Sequence, residues 1–337
     1  MVAVRFSCLA AACCAAVVVF FSFGAAPRQP GHPTVTSSAF PTAVAGTPRV
    51  RAKAAARTGM PADPWWAREW GLARIGLPAL WRTTVGSPGV VVAVVDTGVD
   101  AGGPDLAGAS LRGHNTVDGS DDVHDEVGHG TMVAEVALGR GDNRRQGTGV
   151  CWRCKLLPVK VAPNGSAAGD QLAAGIMWAA DHGADVINVS LVLNGRDDAV
   201  EHAVAHALAV GSLVVASAGN DGGTTASYPA SYPGVISVVG VDEHDRPYAW
   251  STRGAWASVS APGCSVVAAA GGAETNFCGS SAAAPVVSGL AALLLSVGIP
   301  RDRVTTMLLA SGVRSDGAVA SGGRVNAARI AAALPRE

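Results

Sequence analysis

Five short runs of β-branched and other apolar residues recur along the chain: GVVVAVVD (89–96), KLLPVKVA (155–162), DVINVSLVL (185–193), GSLVVASAGN (211–220) and VISVVGV (235–241). Neighbouring positions within each run are both apolar, which a strand needs when it is covered on its two faces. Longer alanine-rich segments separate them. HGTMVAEVALGR (129–140), GDQLAAGIMWAADHG (169–183), DAVEHAVAHALAVG (198–211) and SAAAPVVSGLAALLLS (281–296) read as helices. Strand, helix and strand in alternation predict an α/β fold, a single domain built on a mainly parallel twisted sheet with helices on both faces. No internal repeat interrupts this texture, which runs over residues 65–337.

The first 64 residues read differently. Residues 6–26 are apolar and uncharged, end in Gly24-Ala25-Ala26, and lead into polar, proline-rich sequence. That is the pattern of a secretory signal. The stretch is also long enough to span a bilayer, so residues 1–26 are a signal peptide or, uncleaved, an N-terminal membrane anchor. Residues 27–64, rich in Pro, Ala, Thr and Arg, read as a linker or short pro-segment. A secreted or externally tethered protein follows, touching membrane only if the apolar segment is kept. A formal net charge of −1, with lysine only at 53, 155 and 160, offers nothing to nucleic acid.

Three of seven cysteines fall in the leader; Cys151, Cys154, Cys264 and Cys278 remain for an oxidising compartment. Of three pairings we expect the local one, 151 with 154 and 264 with 278. The second bridge closes a loop of about 15 residues, a constraint on the order of 3 kcal/mol. Cys151-Trp152-Arg153-Cys154 also has the CxxC spacing of a thiol-disulfide oxidoreductase. The strand-like KLLPVKV after it, where such a motif leads into a helix, favours a structural bridge.

The chemistry gathers at three places. Ser280 and Ser281 precede an apolar helix whose Pro285 should lie in its first turn, where a missing N–H is tolerated. A serine there meets free backbone N–H groups and a positive dipole, as nucleophile or simply as N-cap. A serine hydroxyl needs an imidazole to take its proton and a carboxylate to hold the imidazole. Asp96 ends the apolar run VVVAVVD before Thr97-Gly98, where it either orients a base or closes an Asx turn. His129 opens a helix between Gly128 and Gly130, glycines that leave room for a substrate; His114 and His124 lie in polar sequence and should be solvated. The loop DGSDDVHDEVGHG (118–130) is acidic, by default a solvated loop.

DTG after a buried strand, GHGTMVA opening one helix and GSSAAAP opening another resemble the subtilisin-like serine peptidases, in the family's order Asp, His, Ser. WGLARIGLPALW (70–81), GADVINVSL (183–191), SAGN (217–220), YPASYPGVISV (228–238) and SAPG (260–263) resemble its supporting segments. The resemblance implies a serine-type endopeptidase with Ser281 as nucleophile, His129 as general base and Asp96 as its orienting carboxylate. It implies an oxyanion hole from Asn220 and the Ser281 N–H. Ser190, Leu191 and Val192, with Ser217, Ala218 and Gly219, would border the bound polypeptide, which adds as a β-strand.

Three departures qualify that picture. Val192 and Leu193 stand where the family has glycines, which narrows a pocket and points to small P1 residues. Ala282 replaces a frequent methionine, removing an oxidisable neighbour. Residues 27–64 are short for the family's folded pro-domain. A monomer acting on polypeptides is expected, with no cofactor or catalytic metal; many relatives hold structural calcium, and loop 118–130 is where we allow for it. The rival reading is a catalytically silent relative that clamps peptides in the same groove.

Overall fold

The computed structural model describes residues 60–193, 195–314 and 320–335. The readings of residues 1–26 and of most of 27–64 lie outside them. Residues 60–64 do not: Asp63 is buried and accepts the backbone N–H groups of Asp142, Asn143 and Arg144 at 2.6, 3.0 and 2.9 Å.

Seven parallel strands form the main sheet: β1 (Val91–Asp96), β2 (His114–Asn115), β3 (Lys155–Lys160), β4 (Val186–Val189), β5 (Leu213–Ser217), β6 (Ile236–Val241) and β7 (Val259–Pro262). Their order across the sheet is β2-β3-β1-β4-β5-β6-β7. Side chains alternate between two cores. Val92 and Val94 of β1 join one cluster, Ala93 and Val95 the other, and Val186 and Ile187 of β4 divide the same way. Helices α1 (Trp70–Arg74) and α2 (Leu77–Trp81) lead into β1, and α3 (His129–Leu138) contributes to the first core. Helices α4 (Gly169–Asp181) and α5 (Asp198–Ala209) cover the second. The long α6 (Ser280–Ser296) is buried from Ser280 to Leu295. A helix apolar all round has to lie inside the protein, not on it. Two further helices, α7 (Arg301–Ala310) and α8 (Ala327–Ala333), close the chain.

Several local expectations need correction. The run 185–193 does not stay a strand: β4 ends at Val189, and Leu193 leaves to pair antiparallel with Tyr228. Pro285 lies in the second turn of α6, because the helix starts at Ser280. The carbonyl that Pro285 cannot bond, that of Ser281, takes the Ser190 hydroxyl instead at 3.2 Å. His114 is in β2 and stacks on Trp178, with ring centroids 4.9 Å apart.

The hairpin β8 (Cys264–Ala268) and β9 (Glu274–Cys278) carries no alternating signal, since β9 is mostly exposed. Cys264 and Cys278 face each other across it and are bonded, as are Cys151 and Cys154. Both cysteines of the CxxC pair are buried beside Trp152, so no reductant or partner thiol reaches them. The bridge is structural.

Candidate active site

In the strand order, the chain moves from β1 toward β3 on one side and from β4 toward β5 on the other. The carboxyl ends of β1 and β4 therefore flank the point where the direction of winding reverses, the place where open α/β sheets collect their sites. Val95 pairs with Val189, so Asp96 and Ser190 are neighbours at that crevice.

Asp96 is fully buried at the end of β1, and its Oδ1 lies 2.6 Å from His129 Nδ1. The same oxygen accepts the Thr97 N–H at 2.8 Å, while Oδ2 has no hydrogen-bond partner among the described residues. The His129 side chain is 26% exposed, and the edge of its ring meets Phe277 of β9, with centroids 5.3 Å apart. Burial pulls the imidazole pKa down, the largest single influence. The charge of Asp96, its hydrogen bond and the charge of Asp125 together outweigh it, so the pKa stands above the ordinary 6.5.

The glycines around His129 also decide how the backbone packs. Gly128 takes a left-handed conformation (φ 85°) ahead of α3, and a Cβ on Gly130 would run into the Gly98 carbonyl oxygen and reach 3.0 Å from Asp96 Cβ. They let the start of α3 press against the end of β1, which is what brings His129 to Asp96.

Asp125 is the residue sequence reasoning missed. Its loop carries five carboxylates ahead of His129, yet this one is 2% exposed. Oδ1 accepts from Thr97 Oγ1 and Gly128 N at 2.7 and 2.8 Å; Oδ2 accepts from Thr131 N and Thr131 Oγ1 at 2.8 and 2.6 Å. Its four-residue offset from His129 was the available signal. The other carboxylates are committed as well: Asp118 to Ser120, Asp121 to Arg112, Asp122 to His124 and Glu126 to Lys160. His124, exposed as expected, pairs with Asp100 at 2.7 Å. Among the described residues there is no group of three or more His, Cys, Asp or Glu side chains that could hold a metal ion.

Ser281 opens α6 one residue after its start and is buried, its hydroxyl donating to the Ser190 carbonyl at 3.2 Å. In this state its proton points to the end of β4 and not to His129. Asn220 lies beside it. Asn220 Oδ1 accepts the Ser280 N–H at 2.8 Å, which turns Nδ2 the other way. A Cβ on Gly279 (φ 142°) would lie 3.3 Å from Asn220 Nδ2 and 3.5 Å from the Ser281 nitrogen. The glycine keeps a side chain out of the space beside the Asn220 amide and the Ser281 nitrogen at the start of α6.

Gly219 reaches this site through its N–H, which donates to Ser280 Oγ at 3.0 Å. Ser217 ends β5 and Ala218 follows it; both are buried, with Ala218 O accepting the Ser227 hydroxyl. Leu191 is half-buried and Val192 is 39% exposed, its Cγ2 lying 3.8 Å from where a Gly219 Cβ would stand.

Comparison with known proteins identifies the family. A sequence model of the Subtilase family matches residues 87–310. The chain is 42% identical over 220 residues to a thermophilic serine proteinase of Bacillus sp. (strain AK1), a match covering 65% of this chain and 55% of that protein. It is 36% identical over 272 residues to thermitase of Thermoactinomyces vulgaris, covering 79% and 97% respectively. The match thus spans little more than half of the first relative and nearly all of the second. Among solved structures, a protease from Pseudoalteromonas arctica PAMC 21717 superposes with a TM-score of 0.74 at 27% identity, over 81% of this chain and 99% of that one. A cold-adapted subtilisin-like serine proteinase does so with a TM-score of 0.64 at 28% identity, over 72% and 90%. The chain belongs to the subtilase family of serine peptidases.

Proposed function

We propose that this protein is a secreted serine endopeptidase that hydrolyses extended polypeptides through an acyl-enzyme on Ser281. The observation that carries the reading is the 2.6 Å contact between buried Asp96 and His129, beside a serine at the positive end of α6. His129 Nε2 takes the proton of Ser281 Oγ as that oxygen attacks the scissile carbonyl; Asp96 holds Nδ1–H and favours the imidazolium that forms. The Ser281 N–H and Asn220 Nδ2 donate to the tetrahedral oxyanion. The imidazolium then protonates the leaving amine. Water, activated by the same base, attacks the acyl carbonyl, releases the acid and returns the proton to Ser281.

Residues 190–192 lie beyond the end of β4 next to Ser281, which supports binding of the substrate backbone there as an added strand. Val192 against Gly219 supports small P1 side chains. The protein works as a monomer outside the cell, with the apolar N-terminal segment removed, and needs no metal for the reaction.

Apo serine hydrolases often hold these hydrogen bonds long or misaligned until substrate arrives, and the Ser281 hydroxyl bonded to Ser190 fits that resting state. It equally fits a silent peptide clamp. Casein hydrolysis and fluorophosphonate labelling of the leader-free protein separate the two. An active peptidase turns casein over and loses both signals in Ser281→Ala; tight peptide binding with neither signal makes it a clamp.

A further inference from the structure

Asn188 is an amide in the middle of an apolar strand. It is fully buried in β4, between Ile187 and Val189, whose side chains belong to the core on the opposite face. A buried amide is costly unless its polar atoms are met, and here the partners come from α6 and from the end of the strand. Ser288 Oγ donates to Asn188 Oδ1 at 2.8 Å, Asn188 Nδ2 donates to Ser190 Oγ at 2.9 Å, and Ser190 Oγ donates to the Ser281 carbonyl at 3.2 Å.

Neither end of this relay is the ordinary behaviour of a helix. A serine in mid-helix commonly bonds the carbonyl four residues back, as Ser296 does with Ala292 at 2.7 Å. Ser288 sends its proton across to β4 instead. The carbonyl at the other end is free only because Pro285 has no N–H to give it. Helix α6 is thereby tied to β4 at two points seven residues apart, two turns along one face.

We propose that Asn188 and Ser288 are positioning residues for the nucleophile: with Ser190 they lock the main chain of Ser281 to the end of β4, so that only its hydroxyl turns between the Ser190 carbonyl and His129. The inference rests on Ser281 being the nucleophile. Rotation about one side-chain bond carries a hydroxyl from one acceptor to another when its backbone is fixed. Without the relay the Ser281 carbonyl is a buried acceptor lacking a donor, and the start of α6 can shift along the strand. A misplacement of about 1 Å at a reacting atom costs roughly 10²-fold in rate.

The experiment compares Ser288→Ala and Asn188→Asp with the parent protein and with Ser296→Ala, a control on the same helix. As a carboxylate, Asn188→Asp keeps the shape of the side chain and removes the Nδ2 donor, so both test variants are assayed at pH 9 as well as at neutrality. In both test variants kcat on a chromogenic peptide should fall about tenfold, with KM within about twofold, as expected for one buried hydrogen bond lost. The second-order rate of fluorophosphonate labelling should fall by the same factor, and Ser296→Ala should leave both rates alone. Test variants that label and turn over like the parent, with only a lower melting temperature or a higher KM, overturn the proposal and leave the peptidase reading intact. A parent protein that never labels overturns both. If Asn188→Asp does not fold, Ser288→Ala against Ser296→Ala decides.

Discussion

The Thr97 hydroxyl donates to Asp125 Oδ1 at 2.7 Å, and this contact ties the residue after Asp96 to the loop that delivers His129. Thr97 Oγ1 also accepts the Gly130 N–H at 2.9 Å. The two halves of the Asp–His pair are thus held by one buried carboxylate as well as by each other.

Asp125 should therefore be visible in the pH profile. With the His129 pKa raised above 6.5, the acid limb of kcat/KM is expected above pH 6.5, since the base must be neutral. Asp125→Asn removes a negative charge that favours the imidazolium, so the limb should move to lower pH and the plateau should fall as the turn loosens. A limb that stays in place contradicts the electrostatic role. The check is a series of initial rates on a peptide ester between pH 5 and 9.

An oxyanion held by Asn220 Nδ2 and the Ser281 N–H, beside Gly279, predicts matched losses from two directions. Asn220→Ala takes away a donor and should lower kcat by about 10²–10³ with KM little changed, the size known for such a donor in a subtilisin. Gly279→Ala places a methyl in the same spot, 3.3 Å from Asn220 Nδ2, and strains a backbone at φ 142°. It should lower kcat comparably. Steady-state kinetics of the two variants and their combination tests whether both act on one site, in which case the losses do not add.

Burial raises Glu135 and Asp105 toward neutrality away from the site. Glu135 of α3 is pushed up to about 8, first by burial and then by the charge of Asp105, itself raised to about 6 mainly by burial. A carboxyl whose folded pKa exceeds its unfolded value of 4.5 binds more protons folded than unfolded between those limits. Stability must then fall as pH rises from about 4.5 through 8. Glu135→Gln, made in Ser281→Ala to prevent autolysis, should escape this and be the more stable form at pH 9, by on the order of a few kcal/mol. Thermal melts at pH 5 and pH 9 check the sign.

Cys264–Cys278 closes the hairpin that carries Phe277 against His129 and ends three residues before Ser281. Replacing both cysteines by serine should cost about 3 kcal/mol, a fall in melting temperature of roughly 6–12 °C for a domain of this size. Activity should fall further than stability, because the freed strand leads straight to Ser281, the proposed nucleophile. Calorimetry and peptide hydrolysis well below the melting temperature separate the two effects.

Among residues legible in advance, Asp96, His129 and Ser281 each stand at a junction between an apolar strand or helix and glycine-rich sequence, and such junctions can be read locally. Hairpin β8–β9 could not be read that way, since its register is set by a covalent bond and by packing on His129. Asp125 looked like one more acid in a polar loop.

The covalent chain by itself determined a doubly covered parallel sheet, through apolar runs without a polar side, and it determined which residue types stand at the strand ends. Only the folded molecule decided which of them meet. The reversal of winding between β1 and β4 places Asp96 beside Ser190. The bare backbone of Gly130 admits α3 to β1, and Pro285 leaves a carbonyl for Ser190 to fill. Each of these is a contact between residues far apart in sequence, and a hydrogen bond across such a distance has no local signature.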